Sequence, residues 1–158
     1  MYQRILVPLD GSDLGECSLG HVKAIAQGCS VADVIVFRVI EPLSTQTMSA
    51  LAEAGGDSIT KVMEQNERDA KDYVSKVENK LKTQGLSARP VTVHGRAADE
   101  ILSYAEKNNV DLIVMSTHGR SGLSHFFFGS VAEKVSRHSR VPVLLLAPEG
   151  CRNPSSVQ

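Results

Sequence analysis

Between residues 115 and 131 the chain reads Met-Ser-Thr-His-Gly-Arg-Ser-Gly-Leu-Ser-His-Phe-Phe-Phe-Gly-Ser-Val, with small and glycine residues set between two patterned segments. Asp111-Leu-Ile-Val-Met115 has the look of a short apolar strand, and Ser130 to His138 that of a helix. A loop at such a strand-to-helix passage can hold phosphate. The helix N-terminus carries unpaired N–H donors and a partial positive charge. Gly119 and Gly129 are expected to leave backbone N–H groups bare beside it, and Arg120 adds a charged donor. A ligand-free alternative stands next to this one: Ser130 with Glu133 matches a capping box, which satisfies the same N–H groups internally.

The elements that would carry this loop can be read in order. Ile5 to Leu9 is a buried strand, and Leu14 to Gln27 a helix that Asp13 with Glu16 could cap and that Gly28 could end in a left-handed turn. Val34 to Ile40 is a second strand. Glu41 to Asp57, with its Pro, Ser, Thr and Gly55-Gly56, reads as a loop with room for a short helix. Ser58 to Thr83 places Ile59, Val62, Met63, Ala70, Tyr73, Val74, Val77 and Leu81 at helical spacing. Ala88 to His94 alternates as a strand, Ala97 to Asn108 is helical, and Val141 to Leu146 forms a last strand. Strands alternating with helices predict an α/β fold: a single doubly wound, Rossmann-like domain with a five-stranded parallel sheet and helices on both faces. Ligands of such sheets sit outside the carboxyl ends of the strands where the strand order reverses. Here that crevice is bounded by Asp10-Gly-Ser12 and by Ser116 to Gly129, so topology and loop chemistry point to one place.

With 158 residues, the simplest division is one domain over 1–147 and a disordered tail over 148–158. Seventeen basic against eighteen acidic residues give no electrostatic case for nucleic acid or an anionic membrane, and no apolar run nears the roughly 20 residues that span a bilayer. Three cysteines lack metal-site spacing, as do His21, His94, His125 and His138, and Met1 leads straight into a strand. The expectation is a cytoplasmic protein without a bound structural metal.

The same loop carries a family resemblance. Ser116, Gly119, Gly129 and Ser130 fall on the pattern Gly, two residues, Gly, nine residues, Gly-Ser or Gly-Thr of nucleotide-binding universal stress proteins, with Ser116 departing from the first glycine. Arg4-Ile-Leu-Val-Pro-Leu-Asp-Gly-Ser12 is similar to that family's opening strand and aspartate turn, Val36-Phe-Arg-Val-Ile-Glu-Pro42 to its second strand, and Val141-Pro-Val-Leu-Leu-Leu146 to its last. The resemblance implies ATP or AMP as ligand, with Mg2+ a possible companion of ATP. It further implies that Asp10 receives the ribose hydroxyls, that Pro8 and Leu9 line the adenine pocket, and that Val39 offers backbone groups to the base. Met115, Ser116, His118, Gly119, Arg120, Gly129, Ser130 and Val131 would then surround ribose and phosphates. Without a ligand, Asp10 with Gly11 is a good turn former, and Pro8, Leu9 and Val39 are good core.

The function implied is a dimeric, nucleotide-dependent regulator of the stress response that hydrolyses ATP slowly at most and works with a further protein partner. Its homodimer would form through the last strand, with Val141, Val143 and Leu145 meeting their symmetry mates. The chain has no Gly-x4-Gly-Lys-Ser/Thr loop, no Gly-x-Gly-x2-Gly turn and no His-x-Gly-His motif, and His118 reads as a hydrogen-bonding group rather than a base. No catalytic residue is assigned. Ser116 favours an alternative in which the family fold carries no nucleotide and acts through protein contacts. A flavin is not expected, since there is no tryptophan and Tyr2, Tyr73 and Tyr104 fall outside the ligand loops.

Overall fold

Ile5, Leu6 and Val7 are completely buried, as are Ile35, Val36 and Phe37, because each of these strands is covered by helices on both faces. The computed structural model describes residues 2–53, 55, 57–117 and 129–147. In chain order the elements are β1 (Arg4–Pro8), α1 (Asp13–Glu16), α2 (Ser18–Cys29), β2 (Asp33–Ile40), α3 (Thr45–Glu53), α4 (Asp57–Thr83), β3 (Ala88–His94), α5 (Ala97–Lys107), β4 (Leu112–Ser116), α6 (Ser130–His138) and β5 (Val143–Leu146). All strand pairs are parallel, in the order β3-β2-β1-β4-β5. The fold is the doubly wound α/β sheet that the sequence predicts.

Alternate side chains of the strands feed two cores. Ile5, Val7, Val34 and Val36 pack with Leu19, Val22 and Ala26 of α2 and with Val74, Val77 and Leu81 of α4. Leu6, Ile35, Phe37, Ile113 and Met115 pack with Ala98, Ile101 and Ala105 of α5 and with Ala132 and Val135 of α6. The strand order reverses between β1 and β4, where only Ile5↔Leu112 and Leu6↔Ile113 pair. The two strands then part, leaving a crevice at their carboxyl ends.

Local chemistry shifts several boundaries. The first helix is two helices joined at Cys17, and its cap is Ser12, whose hydroxyl accepts the Gly15 N–H, rather than Asp13. Gly28 stays helical; the left-handed residue that closes α2 is Ser30, at φ 53°. The segment 41–57 contains the nine-residue α3, which buries no residue, and Met63 of α4 is exposed rather than inward. The last strand begins at Val143, not Val141: the Ser139 hydroxyl donates to the Val141 carbonyl and receives the Val141 N–H, holding a turn ahead of the strand. No helix among the described residues is long and apolar enough to cross a membrane. The tail 148–158 lies outside the described residues.

Candidate functional site

At the parting of β1 and β4 lies a cavity of about 700 Å³. Its floor is apolar, built from Pro8, Leu9, Phe37 and Met115 at the strand ends and Ile101 of α5. Phe37 is completely buried, its ring 4.8 Å from that of Tyr104, so the floor is a rigid part of the α5 face core.

Val39 brings a backbone donor and acceptor to this floor. The Ile40 carbonyl accepts the Gly95 N–H from the β3 side, whereas the Phe37 carbonyl accepts the Leu9 N–H at 2.8 Å from the β1 side. Backbone groups of successive strand residues point to opposite edges, so the N–H and C=O of Val39 face the β1 side. There β1 has ended, its last pair being Pro8↔Phe37. The strand edge is thus presented to the cavity instead of to a neighbour.

Asp10 stands at the turn after β1. Its Oδ1 accepts the Ser12 N–H at 3.0 Å and the Ser12 hydroxyl at 2.6 Å, and Gly11 is left-handed at φ 83°. Aspartate therefore makes the turn, as its residue type allows, while its carboxylate also lines the cavity. Gly15 closes one side: a Cβ there would lie 2.8 Å from Asp10 Oδ1.

The opposite wall is the start of α6. Gly129 is the cap and makes no side-chain hydrogen bond; Ser130 is the first helical residue. This corrects two expectations. The Gly129 N–H is not bare, because it donates to the Thr117 carbonyl at 2.8 Å. Ser130 and Glu133 form no capping box: Glu133 gives its backbone N–H to the Gly129 carbonyl and pairs its carboxylate with Arg137 at 2.9 Å. The first-turn donors of Ser130, Val131 and Ala132, which have no acceptor within the helix, belong to residues that line the cavity. Thr117 is buried and gives its N–H to the Leu146 carbonyl at 2.9 Å, so one residue fastens the end of β4 to β5 and to the start of α6.

Pro8, Leu9, Asp10, Val39, Met115, Ser116, Gly129, Ser130 and Val131, named from the sequence, line this one cavity. His118, Gly119 and Arg120 lie outside the described residues. The α4 side adds residues not expected from the sequence: Asn66, Asp69 and Tyr73 line the cavity beside Arg38 of β2. Their signal was present: 66, 69 and 73 share one helical stripe, and Arg38 interrupts an apolar strand. Tyr73 lies outside the ligand loops, as expected, yet lines the cavity from α4. Its hydroxyl is held well above the ordinary tyrosine range, by burial first and then by the nearby carboxylates of Glu16 and Asp10. Among the described residues no group of three His, Cys, Asp or Glu side chains could hold a metal ion.

The universal stress protein family model matches residues 1–147. Universal stress protein MJ0577 of Methanocaldococcus jannaschii is 30% identical over 155 residues, covering 92% of this chain and 95% of its own. Universal stress protein MJ0531 of the same organism is 31% identical, covering 92% and 82%. The solved MJ0577 structure superposes with a TM-score of 0.77 over 93% of this chain and 96% of its own. Two more distant structures share the fold: a universal stress protein in complex with cAMP (22% identity, TM-score 0.57, covering 93% and 98%) and an Arabidopsis thaliana family member with AMP bound (13% identity, TM-score 0.65, covering 92% and 91%). This chain belongs to the universal stress protein family.

Proposed function

We propose that residues 1–147 bind an adenine nucleotide, ATP or AMP, in the cavity at the switch point, and that the protein acts in the cytoplasm as a dimeric, nucleotide-dependent regulator of the stress response. One juxtaposition carries the reading: the strand edge of Val39, the carboxylate of Asp10 and the uncapped start of α6 face one cavity. A base edge needs a donor and an acceptor side by side, ribose hydroxyls need an acceptor, and phosphate needs N–H groups at a helix N-terminus. The cAMP and AMP complexes of the distant relatives support the same ligand class. The cavity volume is within the usual range for small-molecule sites. Any turnover of ATP is slow at most in this reading.

The sheet ends at β5, whose Val143 and Leu145 are half-buried against the α5 and α6 core, with Val141 beside them. In the proposed dimer this edge meets its twofold mate, giving a solution mass twice 17.0 kDa by sedimentation. The second reading, an empty site acting through protein contacts, is favoured by Ser116 at the first glycine position of the family loop.

The deciding experiment is to denature freshly purified protein, identify any released nucleotide by mass spectrometry, and titrate the emptied protein with ATP and AMP by calorimetry. Gly129→Val adds a side chain at the cavity-lining start of α6, where a Cβ alone meets the Thr117 carbonyl at 3.1 Å. Binding by the wild type and loss in a folded Gly129→Val are expected. No release and no binding would leave the protein-contact reading standing.

A further inference from the structure

Arg38 is the one residue of β2 that breaks the apolar run Val34-Ile-Val-Phe-Arg-Val-Ile40. Strand alternation sends it to the same face as Val34 and Val36, beneath α4. There its guanidinium carbon lies 5.7 Å from the centre of the Tyr73 ring, within cation–π range, and its Nη1 donates to the Leu9 carbonyl at 3.4 Å. The Leu9 N–H already donates to Phe37. Both backbone groups of Leu9 are therefore tied to consecutive residues of β2, and the next residue in the chain is Asp10.

We propose that Arg38, seated on the Tyr73 ring, is a positioning residue that sets the preference for ribose over 2′-deoxyribose by holding the Leu9–Asp10 peptide. The inference rests on the adenine-nucleotide reading and adds to it a residue of the α4 side of the same cavity. The N–H and hydroxyl of Ser12 fix the Asp10 carboxylate relative to its own turn. The ties at Leu9 join that turn to β2, which carries Val39. A carboxylate that drifts relative to the base edge still offers charge but no longer meets the 2′-hydroxyl. A site built to hydrogen-bond a hydroxyl discriminates against the analogue lacking it, whereas a loose one does not.

The test compares ATP with 2′-deoxy-ATP by calorimetry on the full chain. Wild type is expected to prefer ATP by roughly tenfold or more, the scale of a hydrogen bond to a charged acceptor. Arg38→Met is expected to bring the ratio close to one. Arg38→Lys, which keeps a donor for Leu9, is expected to restore much of the preference. Tyr73→Leu strips the platform but leaves the arginine; it should lower the ratio part of the way and carries the comparison if Arg38→Met does not fold. An unchanged ratio in both variants, or an equal loss for both nucleotides, overturns the role of Arg38. A wild type that binds neither nucleotide overturns the nucleotide reading itself.

Discussion

Gly15 should be harmful to replace only while Asp10 is present. It is buried within α1, and an alanine in a helix is ordinarily favoured over glycine by about 0.5–1 kcal/mol. The added Cβ would lie 2.8 Å from Asp10 Oδ1, the oxygen that accepts from both the N–H and the hydroxyl of Ser12. A short side chain can yield by rotating, so the carboxylate leaves those two donors rather than the backbone moving. Hydrogen bonds to a charged group contribute about 1.5–3 kcal/mol each when dry. With Asp10 half-buried, about 1–2 kcal/mol for the pair is a fair figure, and the net effect of Gly15→Ala is a loss of about 1 kcal/mol. In an Asp10→Ala background the other neighbours are Ser12 Oγ at 3.4 Å and the Asp10 backbone nitrogen at 3.7 Å, both tolerable contacts. Gly15→Ala then stabilises by about 0.5 kcal/mol. The sign reverses, with a coupling of about 1.5 kcal/mol against the ~0.5 kcal/mol at which additivity ordinarily holds. Urea denaturation of the four proteins of the cycle measures it. Equal effects of Gly15→Ala in both backgrounds would refute the steric account.

Other outcomes follow from single contacts. The folded-state Tyr73 hydroxyl titrates above its ordinary value of 10.0, so its contribution is whole below about pH 10 and is lost as pH rises beyond it, where the unfolded chain ionises first. Tyr73→Phe should flatten the fall of the urea midpoint between about pH 9 and 11, and parallel profiles would contradict this. Phe37→Ala removes a wholly buried ring from the cavity floor and should destabilise by about 3 kcal/mol, the low end for Phe→Ala because the void opens into the cavity; a loss under about 1 kcal/mol in denaturant melts would show the floor to be loose. Asp33 accepts from Arg4 at 3.1 Å and Arg89 at 2.9 Å, partly in solvent, so Asp33→Ala should lower stability by about 1 kcal/mol, less at high salt. A salt-independent loss would assign the effect to packing instead.

The sheet was legible because β1, β4 and β5 are written in short apolar runs, β2 in one broken at Arg38 and β3 in alternation, and the crevice because alternation of strands and helices fixes where the order reverses. Pro8, Asp10, Val39 and the start of α6 meet there as a result of topology alone. What was illegible depends on contacts across space. Ser12 caps α1 in place of Asp13 because its hydroxyl reaches Gly15, and only the folded turn sets that distance. The N–H of Gly129 goes to Thr117, a partner that loop chemistry does not name. Arg38 and Tyr73 are 35 positions apart in a chain where α4 must first cross over β2 before either has a role. The sequence also overstated the inward face of α4, whose apolar spacing extends farther than its contact with the sheet.

That helix is 27 residues long, about 40 Å, yet its buried residues are Ala70, Val74, Val77 and Leu81. The first three turns and all of α3 bury nothing. Amide protons from Asp57 to about Glu67 should therefore exchange with solvent deuterons through local fraying, while those near Val77 wait for the whole molecule to open. Asn66 and Asp69 of the cavity wall stand at the border between these two regimes. Occupation of the cavity would be recorded as slowed deuterium uptake in one helix, graded along its length and ending where the sheet takes over.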